Sequence, residues 1–316
     1  MLVALAGGVG AARFLRGLVG LLDQKDLTVV VNTADDIRLY DLYISPDLDS
    51  VIYGLAGAND PERGWGIQGD TFRCLEALKR YTGPTWFRLG DVDLATHLYR
   101  SWRIRSGATL SEVTAEIARA WGVRSTVIPM SDQEVTTRVI VEQPGSGPRL
   151  DLHFQEYLVE RRAQDRIISV YYHGVQQATP APGVMEAIRN ASGIIVCPSN
   201  PVASIGPILA VPGIRDALRD FPNKIVAVSP LIQGQPVRGP ADRMMEAVGL
   251  EASCIGVADA YRDFIHAIVI DFVDREAIPD IEALEVEPIP AQTLMRGVPQ
   301  AKALAKTVLE AVEAEM

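Results

Sequence analysis

The chain has 316 residues, 48% of them hydrophobic, and a formal net charge of −10. That length allows one large α/β domain or a core with a lobe, and the apolar content is that of an ordinary soluble enzyme. The acidic balance argues against nucleic acid or an anionic membrane as partner, while leaving room for a small anionic ligand held by local donors and a metal. Three widely spaced cysteines, Cys74, Cys197 and Cys254, fit a reducing compartment better than a disulfide framework or a CxxC metal site. No run reaches the ~18–20 apolar residues of a membrane span. The N-terminus lacks the basic flank of a signal peptide, so a cytoplasmic location is expected.

Leu2 to Ala6 is a continuous apolar run, the pattern of a buried parallel strand. Gly7-Gly8-Val9-Gly10 follows, and Ala11 to Leu22 carries Phe14, Leu15, Leu18, Val19 and Leu22 at helical spacing. Strand, glycine turn and helix together aim main-chain N–H groups at a phosphate, with glycine admitting the close approach. A turn that only packs helix on strand is the alternative. The dinucleotide fingerprint fails at its third glycine, where Arg13 stands, and no Walker Gly-Lys-Ser/Thr is present. Arg13 either meets a phosphate or snorkels to solvent.

Leu27 to Val31 reads as the second strand. From Asn32 to Gly57 the chain runs NTADDIRLYDLYISPDLDSVIYGLAG, with Asp35, Asp36, Asp41, Asp47 and Asp49 against a single Arg38. Carboxylates at this density must be solvated or share a cation. An exposed acidic loop is one reading. The placement supports the other: one pair follows a strand, and the second sits on a Pro-punctuated turn before a helical run from about Ser50. Loop carboxylates at strand ends are how α/β enzymes usually hold Mg2+ against a phosphate.

Gly57 to Gly69 is a Gly-rich loop whose Trp65 is either a stacking platform for a planar ring or a hydrophobic plug. Asp70 to Tyr81 has helical spacing, and Trp86 to Leu89 reads as a short strand. Asp93 reads as the N-cap of a helix over Leu94 to Ile104, with His97 four residues further on. The capping box Thr109 to Glu112 opens a helix that runs to Trp121. A largely helical lobe over the sheet is expected at about 58–122. Ser125 to Pro129, Thr137 to Glu142, Arg149 to Phe154 and Ile167 to Tyr172 read as strands, with Pro144 to Pro148 a turn.

From Gly183 the alternation is regular. Helices are expected at Gly183 to Ala191, Ala241 to Val248 and Pro299 to Val312, and strands at Gly193 to Cys197, Ile225 to Ser229, Ala267 to Asp271 and Glu285 to Ile289. The loop Pro198 to Pro207 brings Ser199, Asn200 and Ser204 to a strand's carboxyl end, as a nucleotide or phosphate contact or as a rigid connector. Arg238 stands on a second loop of this kind. The fold expected is α/β, a doubly wound, mainly parallel Rossmann-like sheet with a largely helical inserted lobe, in a single domain over 1–316.

Eight segments stand in order through most of the chain: GGVGAARFL at Gly7–Leu15, NTADD at Asn32–Asp36, ISPDLDSVIYGLAG at Ile44–Gly57, DPERGWG at Asp60–Gly66, RLGDVDLATHL at Arg88–Leu98, HFQEYLV at His153–Val159, SNPVASIGPIL at Ser199–Leu209 and SPLIQGQPVRGPAD at Ser229–Asp242. In these the chain resembles the 2-phospho-L-lactate transferases of the CofD/FbiA type, which build the deazaflavin coenzyme F-420. It departs from the family pattern at Tyr40 and Asp41, one of which is usually glycine.

The resemblance implies that the ribityl hydroxyl of the deazaflavin Fo attacks a guanylylated phospho-acid, with GMP leaving and Mg2+ assisting. The metal would lie among Asp35, Asp36, Asp47 and Asp49, with Asp35 and Asp47 favoured and a spare carboxylate taking the hydroxyl proton. Gly8, Val9, Gly10 and Arg13 would face phosphate, and Ser199, Asn200, Ser204 and Arg238 the nucleotide. Trp65 and His97 would stand on the deazaflavin side, and a homodimer is the family expectation. One rival is a non-catalytic nucleotide-sugar-binding regulator of the YvcK type, expected to lack the Asp47/Asp49 cluster. The other is an NAD-dependent dehydrogenase, which wants an acidic residue where Asn32 stands.

Overall fold

In chain order, β1 (Leu2–Ala6), α1 (Gly8–Leu18) and β2 (Leu27–Val31) lead into a small hairpin of β3 (Ile37–Leu39) and β4 (Leu42–Ile44), then α2 (Pro46–Ala56), α3 (Arg73–Leu78), α4 (Asp93–Arg105) and α5 (Leu110–Ala120). Next come β5 (Thr126–Pro129), β6 (Thr136–Glu142), β7 (Arg149–His153), β8 (Arg166–His173), α6 (Val184–Asn190), β9 (Gly193–Val196), α7 (Gly206–Ala210) and α8 (Ile214–Arg219). The chain closes with β10 (Ile225–Val228), β11 (Leu231–Ile232), β12 (Gln235–Pro236), α9 (Ala241–Ala247), α10 (Cys254–Tyr261), β13 (Ala267–Asp271), α11 (Ile278–Glu282), β14 (Glu287–Ala291) and α12 (Val298–Glu313). This computed structural model describes residues 1–81, 83–143 and 147–314.

Seven strands form one wholly parallel sheet in the order β14-β13-β10-β9-β1-β2-β5. From β1 the chain winds outward through β2 and β5, then returns to the other side at β9, which makes the sheet doubly wound. The inner strands are short and mostly Val, Ile, Leu and Ala, and β9 and β10 are buried along their whole length. Such runs suit only a sheet covered on both faces. Alternation divides the side chains between two cores. Val3 and Leu5 pack with residues of α6, α8, α9 and α10, while Ala4 and Ala6 pack with residues of α1, α2, α5 and α12. A separate antiparallel sheet, β7-β6-β8, flanks this unit. Among the described residues, no helix is long and apolar enough to cross a membrane.

Several expected boundaries move. The second acidic pair lies inside α2, which starts at Pro46 and not near Ser50, because proline at the first helical position needs no N–H acceptor. Asp47 and Asp49 therefore occupy the helix's first turn, where its dipole favours negative charge. The expected helix over Asp70 to Tyr81 contracts to α3, and Trp86 to Leu89 is irregular. The stretch after β9 is not a plain loop: Pro201–Ile205 forms a π-helical turn, closed from Ile205 N–H to Asn200 O at 3.1 Å. Of the turn expected at Pro144 to Pro148, residues 144–146 lie outside the described residues. Within 58–122 stand α3, α4 and α5, of which α5 packs on β5 and α2.

The β3–β4 hairpin accounts for the departure at its tip. Tyr40 and Asp41 have φ of 53° and 61°, as a two-residue hairpin turn of the I′ type requires at both positions, and glycine adopts that conformation most readily. Tyr40 also ties the tip to a neighbouring loop, donating from its hydroxyl to Pro84 O at 2.8 Å.

Candidate active site

A cavity of about 590 Å³ opens at the carboxyl ends of β1 and β9, where the winding reverses and α/β sheets present their ligand crevices. The glycine turn after β1 forms its floor and fits there tightly. A Cβ on Gly7 would come within 2.7 Å of both Asp47 Oδ2 and Ser204 Cβ, and one on Gly10 would strike Pro198 O. The turn and the second acidic segment are thus in direct contact, and the Gly8 N–H donates to Asp47. Val9 and Gly10 begin α1, so their N–H groups have no acceptor within the helix.

Asp35 and Asp47 line the cavity together. Asn32 joins the two acidic segments: its Nδ2 donates to Asp47 Oδ2 at 2.9 Å and its Oδ1 accepts from Ala34 N–H at 2.9 Å. Asp35 Oδ2 receives Gln155 Nε2 at 3.4 Å, while its Oδ1 is buried without a partner. Among the described residues no Lys or Arg pairs with either group. Burial, and then the nearby Asp47, hold the Asp35 carboxyl well above the ordinary carboxylate range. Burial likewise pushes Asp47 up to about 6, against hydrogen bonds from Asn32 and Gly8 that pull it down. Two hard oxygen donors with no internal counter-charge and one orphaned oxygen suit a divalent cation such as Mg2+.

Asp36 does not join them. Its Oδ2 accepts from Ser45 Oγ at 2.8 Å, it is absent from the cavity lining, and its main-chain oxygen faces His153 Nε2 at 3.0 Å. Asp36, expected at the catalytic centre, thus stands outside the cavity lining, although its Oδ1 is also buried without a hydrogen-bond partner. Its place beside the chain's turn into the hairpin makes it a brace between segments.

Asp49 reaches the cavity wall in another state. Arg100 of α4, fully buried, grips both Asp49 oxygens with its guanidinium fork, at 3.0 Å for Nη1–Oδ2. The same Nη1 stands 3.3 Å from His97 Nδ1, and His97 Nε2 lies 3.4 Å from Asp93 Oδ1. Asp93 Oδ1 also accepts from Tyr53 OH at 2.8 Å. Burial alone would raise Asp93, but His97, Tyr53 and Arg100 hold it below its ordinary value. Asp93 is accordingly not the expected N-cap: it is the first residue of α4, and its carboxylate faces inward. Asp49, Asp93 and His97 bring ligand atoms within 4.8 Å of one another. The guanidinium on Asp49 already supplies the positive charge there, so this cluster does not suit a metal.

The remaining expected residues divide between ligand-facing and structural duties. Ser199 lines the cavity but is spent on the turn, accepting from Gly7 N–H at 3.2 Å and donating to Gly7 O at 2.8 Å. Asn200 caps the π-turn, its Oδ1 accepting from Val202 N–H at 2.9 Å and Ala203 N–H at 3.0 Å. Ser204 Oγ has no hydrogen-bond partner among the described residues and faces the glycine turn. Arg13 and Arg238 converge on one spot, each 3.0 Å from where a Gly64 Cβ would stand. Burial and the neighbouring Arg238 lower the pKa of Arg13. Trp65 stands on the wall under the Arg63 guanidinium, 5.4 Å from its ring centroid.

Arg100, Asn32 and Tyr53 were not expected at the site. A signal for Arg100 exists in the sequence: Asp93, His97 and Arg100 fall on one helical face, and the opposite face carries Leu98 and Trp102. Such a helix turns its charged side inward, and in the structure Leu98 and Trp102 are more than half exposed.

The family model described as "2-phospho-L-lactate transferase CofD" matches residues 2–298. The chain is 43% identical over 314 residues to the phosphoenolpyruvate transferase of Streptomyces griseus, covering 99% of this chain and 98% of that protein. It is 39% identical over 310 residues to the 2-phospho-L-lactate transferase of Methanosarcina mazei, covering 98% and 100%. Among solved structures, a member of the UPF0052 family from Bacillus halodurans shares the fold with a TM-score of 0.65, at 17% identity over 98% of each chain. Motif order, cavity and kinship agree, and the chain belongs to the 2-phospho-L-lactate transferase (CofD) family of coenzyme F-420 biosynthesis.

Proposed function

We propose that this transferase moves a phospholactyl or phosphoenolpyruvyl group from a guanosine diphosphate diester to the terminal ribityl hydroxyl of Fo, releasing GMP. The observation that carries this reading is the pair Asp35 and Asp47, buried without a counter-charge against the glycine turn. In the reaction the hydroxyl oxygen bonds to the distal phosphorus and the bond from that phosphorus to the bridging oxygen breaks. The bridging oxygen leaves with GMP, and the hydroxyl proton passes to a carboxylate or to solvent.

Asp35 and Asp47 would hold Mg2+, which when bound neutralises charge on the diphosphate. Phosphoryl transfer needs placement and electrostatics more than covalent help. The N–H groups of Val9 and Gly10 at the start of α1, with Arg13 and Arg238, would receive phosphate oxygens. Trp65, Phe87, Leu89 and Leu158 give the cavity an apolar wall, suited to a planar deazaflavin and to excluding water. The locked Asp49–Arg100–His97–Asp93 cluster would orient the acceptor's polar tail. A homodimer belongs to the same reading and is measured by sedimentation.

The test is to incubate the protein with Fo, a guanylylated phospho-acid and Mg2+, and to follow GMP and the F-420-0 or dehydro-F-420-0 product by mass spectrometry. Stoichiometric formation of both supports the reading. Tight nucleotide binding without turnover would replace it with a nucleotide-sugar-binding regulator of the YvcK type.

A further inference from the structure

Asp35 stands on a turn between β2 and the β3–β4 hairpin, outside any helix or strand. Its aim into the cavity is set by the flanking antiparallel sheet, which grips the main chain on both sides of it. Thr137 of β6 donates its N–H to Ala34 O at 2.8 Å, and the ring of His153, the last residue of β7, meets Asp36 O at 3.0 Å through Nε2. A carbonyl oxygen only accepts, so Nε2 carries the ring hydrogen in this contact.

The other ring nitrogen fixes the residue whose side chain touches Asp35. His153 Nδ1 accepts from the Gln155 main-chain N–H at 3.0 Å, and Gln155 Nε2 reaches Asp35 Oδ2 at 3.4 Å. One neutral imidazole meets both demands, with Nε2 giving a hydrogen and Nδ1 receiving one. Glu156 secures the corner after β7, its carboxylate accepting from the His153 main-chain N–H at 2.7 Å. His153 is buried and absent from the cavity lining, whereas Asp35 and Gln155 both line it. Whatever His153 does for the site therefore passes through those two segments.

We propose that His153 is a positioning residue for Asp35, one ring nitrogen fixing the main chain beside it and the other the glutamine that orients its carboxylate. This rests on the reading above, in which Asp35 and Asp47 hold Mg2+. Mg2+ demands a narrow geometry of its oxygen ligands, and the groups behind those ligands carry a share of the affinity. The two arms of the ring are separable by substitution. Asn brings an amide oxygen close to the place of Nδ1, and Gln an amide nitrogen close to that of Nε2.

The experiment measures Mg2+ affinity by calorimetry on the full chain, with GDP affinity in metal-free buffer as the control, for wild type, His153→Ala, His153→Asn and His153→Gln. His153→Ala should weaken Mg2+ binding roughly 10- to 100-fold and leave GDP binding within about twofold, while Asn and Gln each recover part of the loss. His153→Gln should add less than about twofold to the loss in Gln155→Ala, because the arm it removes ends on that residue. Equal losses of Mg2+ and GDP affinity, a lower Tm with Mg2+ affinity intact, or fully independent losses in the double variant overturn the proposal. Should His153→Ala fail to fold, the Asn and Gln variants carry the same comparison. If wild type binds no Mg2+, it is the metal reading that fails, and amide hydrogen exchange still decides the role of His153. Faster exchange at Gln155 and over residues 34–36 in the variants, with β1 and β2 unchanged, supports it, and unchanged exchange there refutes it.

Discussion

Asp49 meets a guanidinium and Asp93 a phenol and an imidazole, whereas Asp35 and Asp47 meet only amides: the side chains of Asn32 and Gln155 and the main chain of Gly8. All four carboxyl groups are buried and line one cavity. Burial costs a charge heavily unless it is paired; the first pair has its partners within the fold, and the second has no ion-pair partner among the described residues. Equal burial with opposite compensation distinguishes the two pairs, and counting aspartates does not.

The largest expected effect breaks the brace. Arg100→Met leaves Asp49 buried without its partner and should cost about 3–5 kcal/mol of stability by urea titration. A loss under 1 kcal/mol would show that Asp49 is not compensated by this fork. Next comes the open pair: Asp47→Asn should lower kcat/KM roughly 10²–10³-fold, yet leave the Tm of metal-free protein at pH 7.5 unchanged or higher, because a desolvated charge is gone. Full activity at limiting Mg2+ would remove Asp47 from the site.

The pH response sharpens the contrast. Asp47 is raised from its ordinary 3.8 to about 6. Its contribution to stability is therefore complete below the unfolded value and is lost as pH rises through 6. Metal-free protein should lose about 1–3 kcal/mol between pH 4 and 7 from this group, Mg2+ should restore it, and Asp47→Asn should flatten the curve. Asp93, held below its ordinary value, has the opposite sign: its contribution is present above the unfolded pKa and lost as pH falls through the folded one. Superposable curves for metal-free and Mg2+-loaded protein would refute the open-pair account.

The smallest effect lies in the hairpin that spans the two acidic segments. Asp41→Gly relieves a left-handed residue and should raise stability by no more than about 1 kcal/mol, with activity unchanged. A fall in activity would give Asp41 a role at the site.

Much of this was legible in the sequence, for definite reasons. The parallel strands announce themselves because both faces are buried, leaving runs such as Leu2 to Ala6 without polar interruption. The acidic pairs and the glycine turn stand out because few other structures tolerate those residues so close together. What stayed hidden depends on contacts between residues distant in the chain. Arg100 lies 51 residues from the carboxylate it grips, and Ser199 spends its hydroxyl on Gly7, 192 residues away. Asn200 lines the cavity as expected of a ligand contact, but its side-chain oxygen caps a π-turn that residue periodicity does not reveal.

The cavity takes its walls from nearly the whole length of the chain, from Gly7 at one end to Thr293 and Met295 at the other. Arg13, just past the glycines, donates to the Met295 carbonyl 282 residues away. The pocket therefore exists only in the finished tertiary fold, and no short contiguous fragment of the chain carries all of its lining.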